Sequence, residues 1–126
     1  MSRTPLGVAV ASLAVVTATL AGTLAHLVVI AFGPLTLPVG LLVAVSLLAS
    51  TQAWAVAAWP APAVAVCGVL GWAVATSAAL SPGPGGDLLV AEPTRPLSLG
   101  WLVAGPLALL AATVLTRRRL AVPVAA

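Results

Sequence analysis

From Thr4 to Gly86 the chain runs for 83 residues without a single Asp, Glu, Lys or Arg. Only His26 and Cys67 in that stretch are ionisable. A water-soluble domain keeps charged side chains on its surface, because these residues are almost never fully buried. A run of this length with none is matched to lipid. Its chemistry is correspondingly sparse, and no catalytic, metal or nucleotide-binding motif is present.

Hydrophobic residues make up 62% of the 126, and charged residues 6%. A globular domain carries roughly 25% charged residues, so the mean hydropathy of +1.23 belongs to another class. A helix needs about 20 apolar residues to cross roughly 30 Å of hydrocarbon. The chain therefore has room for four spans and very little else. The net charge of +3 does not point to nucleic acid, since three of the five arginines are the consecutive Arg117, Arg118 and Arg119. Beside a spanning helix such a cluster reads as a topology signal. With Cys67 alone, no intrachain disulfide can form.

The breakers divide the run. Leu6 to Phe32 is apolar apart from small hydroxyls and His26, and it is long enough to span with some tilt. A cleaved signal peptide ending at Thr23-Leu24-Ala25 competes with this reading. The apolar run exceeds the roughly 7–15 residues usual for such a leader, and the charge-free sequence continues beyond it, so a retained helix is expected. Gly33-Pro34 interrupts the pattern and Pro38 suits the start of a second helix, Val39 to Trp59. Pro60 and Pro62 separate it from a third, Ala61 to Leu80, and so short a turn implies a helical hairpin. A loop at residues 81–96 holds both acids, Asp87 and Glu92, with Arg95. The fourth span, Leu97 to Leu115, contains Pro106, which cannot donate to the carbonyl of Leu102, so a kink is expected.

The expected fold is all-α: one integral membrane domain over residues 1–126, a bundle of four transmembrane helices. Four spans put both termini on one side, with Arg3 and Arg117 to Arg119, and leave Arg95 on the other. The positive-inside rule then makes the termini and the tail at 117–126 cytoplasmic and the 81–96 loop external. Trp59 and Trp101 fall near the two interfaces, where an amphipathic ring is stable. Trp54 and Trp72 lie deeper, as packing residues.

Helices in lipid join through small residues and interhelical hydrogen bonds. Ser12, Thr19, Thr23 and His26 share one face of the first helix, with Gly22 beside it. Ser46, Ser50, Ala53 and Ala57 form a stripe on the second, and Ala61, Gly68, Gly71 and Ala75 one on the third. These stripes are the expected seams, with hydroxyls bonded to their own i−4 carbonyls. His26 is an ionisable group within a span and so a functional candidate. Its place near the helix end weakens that case and favours a structural hydrogen bond to a loop or a hydroxyl. Gln52 is expected to bond across helices. Asp87 and Glu92 are candidates on the external side. One histidine and two loop carboxylates make a weak ligand set, so no metal or cofactor is expected. The glycines before Asp87 lack the strand, helix and Lys of a phosphate loop.

The segment Pro84-Gly85-Gly86-Asp87-Leu88-Leu89-Val90, followed by Gly100-Trp101 and Gly105 ahead of an arginine cluster, resembles an actinobacterial family of small uncharacterised four-helix membrane proteins. A Gly-Asp-Leu-Val-type motif in the last outer loop carries the likeness, and its specific part is Pro84 to Gly105. The resemblance implies a bacterial inner-membrane location and brings no activity. The expected function is a non-enzymatic accessory or self-associating bundle, with the lipid bilayer and a homo-oligomer or partner membrane protein as its associates. The alternative is a component of a small oligomeric transporter or channel.

Overall fold

The computed structural model describes residues 4–81 and 95–122. It contains four helices and one small hairpin: α1 (Thr4–Ala25), β1 (Ile30–Phe32), β2 (Leu35–Leu37), α2 (Val39–Ala58), α3 (Pro62–Leu80) and α4 (Arg95–Ala121). Three of the helices are long and apolar enough to cross a membrane, and α3 is shorter.

The prolines mark two of the four helices closely. Pro38 occupies the N-cap of α2 and Pro62 the first turn of α3, where a missing N–H costs nothing and the fixed φ suits the helix. The helix of α4 passes through Pro106 and continues across the arginine cluster. It is therefore longer at both ends than the Leu97 to Leu115 expected from hydropathy. Of the loop expected at 81–96, residues 82–94 lie outside the described part, and Asp87 and Glu92 with them.

The first span is corrected. It does not run to Phe32 but ends at Ala25, and the chain then folds into an antiparallel hairpin pairing Ile30 with Leu37 and Phe32 with Leu35. Val28, Val29 and Ile30 are β-branched and favour extended backbone. Gly33, at φ +60°, opens the two-residue turn with Pro34, a backbone that side-chain-bearing residues resist and hairpin turns require. The N–H of Gly40 donates to the Val28 carbonyl (2.9 Å) and ties the base of the hairpin to α2.

The broad seams are α1 on α2, α1 on α3, and α2 on α4. Gly7 lies against Trp59 and Gly22 against Ala44, so α1 and α2 run antiparallel. Val64 clusters with Ala11 and Gly71 packs on Val16, so α1 and α3 run parallel; Gly100 lies against Leu41 and Gln52 bonds Thr113, so α2 and α4 do too. The shortest connection, between α2 and α3, thus joins helices that share only a narrow contact. One cluster, Val15, Ala18, Ala44, Leu48, Trp101 and Leu109, fills the centre; Ala11, Ala55 and Val64 form a second, near Trp59.

The stripe expectations divide. Thr19, Gly22, Thr23 and His26 are buried on α1, as are Gly68 and Ala75 on α3. On α2 the buried face is instead Gly40, Ala44, Leu48, Gln52, Ala55 and Val56, and Ser46, Ser50 and Ala57 point outward. The tryptophans also exchange roles. Trp101 is a core residue, 2% exposed, whereas Trp54 is half exposed and edge-on to Trp59.

Candidate functional site

The candidate site is the buried polar set along the bundle interior: Thr19, Thr23, His26, Gln52, Thr76 and Ser98. Its upper element is built by the end of α1. The last carbonyls of a helix lack intrahelical partners. His26, the first residue beyond Ala25, turns its ring back so that Nδ1 lies 2.6 Å from the Thr23 carbonyl oxygen. A carbonyl only accepts, so Nδ1 carries the proton and donates. In the neutral ring Nε2 is then an acceptor, and the Ser98 hydroxyl stands 3.2 Å away as its donor. The ring also stacks on Trp101, with centroids 6.0 Å apart and planes 21° from parallel. His26 thus closes the end of α1 and fastens it to the first turn of α4. Both ring nitrogens are committed, and neither offers a free lone pair to a ligand.

Trp101 reaches this position because Gly22 leaves room for it. A Cβ at Gly22 would stand 2.7 Å from the Trp101 ring, closer than carbon atoms approach. Gly105 makes the same kind of socket for Trp72, whose Nε1 would lie 2.6 Å from an added Cβ. The glycines serve side chains here, each receiving one large residue from another helix.

Gln52 forms the second element. It is 0% exposed, and its Nε2 donates to Thr113 Oγ1 on α4 at 3.0 Å. Its amide oxygen lies against Gly68 of α3 and has no hydrogen-bond partner. The residue therefore links three helices. Exchanging the amide O and N would only move the unpaired arm to the nitrogen, so one arm is unpaired in either assignment. Among the described residues three further buried atoms have no partner: Trp72 Nε1, Thr76 Oγ1 and Trp101 Nε1. Thr19 and Thr23 return their hydroxyls to the carbonyls of Val15 and Thr19, at 2.7 and 2.8 Å, as threonines in apolar helices do.

Of the sequence candidates, the structure places His26 and Gln52 inside the bundle at separate levels, and it does not bring them together. Asp87 and Glu92 lie outside the described residues. Arg117, Arg118 and Arg119 are exposed on the last turns of α4. Cys67 is half buried and free. Among the described residues no group of three His, Cys, Asp or Glu side chains could hold a metal ion. Ser98, Trp101 and Thr113 were not anticipated as partners, although the three-residue spacing of Ser98 and Trp101 places both on one helix face. Comparison with protein-family models, curated proteins and solved structures finds no match.

Proposed function

We propose that the chain is a four-span protein of the bacterial inner (plasma) membrane, with both termini cytoplasmic, that works without enzymatic chemistry by associating with a second copy or another membrane protein. Kinship with the actinobacterial family resembled at Pro84 to Gly105 belongs to the same proposal. Large apolar residues on the outward faces of every helix support lipid as its surroundings, since no water-soluble monomer presents so continuous an apolar surface. The alternating directions of the four helices fit serial crossings. At 19 residues α3 is about 28 Å long, close to the roughly 30 Å hydrocarbon thickness.

One observation carries the association reading, and it is the hairpin. Cross-strand partners and alternate residues share a face, so Ile30, Phe32, Leu35 and Leu37 project together, with Ala31 and Thr36 opposite. All six are exposed, Phe32 at 63%. A two-stranded hairpin alone is marginal in water. Its four large side chains remain between 39% and 63% exposed, which leaves a compact apolar face for a protein surface to cover, and covering a large side chain fully is worth about 1.5–3 kcal/mol.

Phe32→Asp combined with Leu35→Asp is expected to convert a defined oligomer or complex in mild detergent to a lone monomer. Helix content and membrane insertion should be unchanged. The readout is size-exclusion chromatography with light scattering, beside affinity purification and mass spectrometry from the native host. A wild-type protein that is already a monodisperse monomer and retains no partner would contradict the proposal.

A further inference from the structure

The α2–α4 seam carries a groove of about 370 Å³ on its outward side. Ala49 and Ala53 of α2 and Ala108, Ala112 and Thr116 of α4 wall it, and Arg119 closes one end. The Ser50 hydroxyl at its edge is turned back to the Ser46 carbonyl (2.7 Å), so the wall presents mostly methyl groups. Along α4 the lining runs from Ala108 to Arg119, about 16 Å at 1.5 Å per residue. Half of a roughly 30 Å hydrocarbon core is one leaflet, and the groove has that length.

The charge at its end has no acidic side chain at its own level of the bundle. The chain's only carboxylate side chains, Asp87 and Glu92, precede α4, and Arg119 stands about 36 Å along that helix from its first residue. A second copy in the same orientation adds no acidic side chain at that face. Copies inserted in one membrane share an orientation, so their acids lie at the opposite face from Arg119. An alanine wall ending at an arginine, at headgroup level on the cytoplasmic side, matches a phospholipid: the acyl chain lies along the methyl groups and the phosphate accepts from the guanidinium. Basic sites between helices on that side favour anionic headgroups.

We infer that this groove binds one anionic phospholipid of the cytoplasmic leaflet, its phosphate on Arg119. The inference rests on the four-span reading with the arginine cluster inside. That reading is checked first: full-length protein must stay with membranes through an alkaline carbonate wash, and release there defeats the bundle, not the groove.

The test is native mass spectrometry of the full chain delivered from bilayers of phosphatidylglycerol and phosphatidylcholine in equal parts. One retained phosphatidylglycerol per chain is expected, preferred about five- to tenfold over phosphatidylcholine. Arg119→Gln should abolish the preference. Ala111→Leu, which fills the groove from its exposed rim, should lower retention with every arginine in place. Arg117→Gln should keep most of it. Equal loss from Arg117→Gln and Arg119→Gln would reduce the site to a diffuse basic patch and overturn the inference. So would the absence of any lipid preference, or a partner protein retained in place of lipid.

Discussion

Gly40→Ala is expected to lower the thermal midpoint of the detergent-solubilised bundle sharply, although it adds one methyl group. A Cβ at Gly40 would run into the backbone carbonyl of Ala25 and stand 2.9 Å from the Val28 Cβ. A flexible side chain can yield to such an intrusion, and a backbone carbonyl at a helix end cannot. The helices α1 and α2 would have to separate along one of the three broad seams. The Gly40 N–H to Val28 bond, which anchors the hairpin, would stretch with them. Overpacking costs about 1–3 kcal/mol, and a lost backbone hydrogen bond adds about 1 kcal/mol. In lipid no hydrophobic force draws the helices back together. Gly100→Ala is the control: its Cβ would meet only the tip of Leu41 at 3.1 Å, and alanine gains up to about 1 kcal/mol in helix propensity. Equal losses at the two glycines, read by thermal unfolding, would show that close approach at Gly40 does not hold the seam.

Gln52→Glu should damage the bundle more than Gln52→Leu does, which reverses the usual ranking of conservative and non-conservative changes. The side chain is fully buried, with Thr113 as its only hydrogen-bond partner among the described residues and one amide arm unpaired there. An uncompensated carboxylate at that point costs about 3–5 kcal/mol. Leucine gives up one interhelical bond, worth about 0.6 kcal/mol in membrane helices, and removes the unpaired arm, which is itself a penalty. The net change for Gln52→Leu should stay within about 1 kcal/mol. Unfolding in detergent at pH 8 decides the order. A Gln52→Leu variant that loses as much as Gln52→Glu would mean that the Gln52–Thr113 link contributes far more than a single bond.

What the sequence made legible was set by proline and by charge. Pro38 and Pro62 placed α2 and α3 to within a residue, because a ring that fixes φ and removes an N–H is tolerated only where a helix begins. Hydropathy failed at the end of α1, since Val28 to Phe32 is as apolar as any helix. Only its β-branching and the Gly33-Pro34 turn distinguish it. Helix faces were harder still. In water the apolar face points inward; in lipid both faces are apolar and that signal is gone. The Ser46–Ala57 stripe therefore looked like a seam, yet Ser46, Ser50 and Ala57 face outward and only Ala53 borders the α2–α4 seam, while Leu48 and Gln52 point in. Trp54 and Trp101 exchanged roles for the same reason. His26 stood out as the one histidine of the chain, and it is buried just beyond α1. Its partner Ser98 lies 72 residues away and was visible only once α1 was known to stop at Ala25.

Four serial crossings with both termini inside can be read from paired reporter fusions. An alkaline phosphatase reporter, active only outside, and a fluorescent protein, which folds only inside, would be joined in turn after Gly33, Pro60, Gly86 and Arg119. Phosphatase activity is expected at Gly33 and Gly86 and fluorescence at Pro60 and Arg119. Gly86 and Arg119 reporting the same side, or Gly33 and Pro60 doing so, would contradict the four crossings.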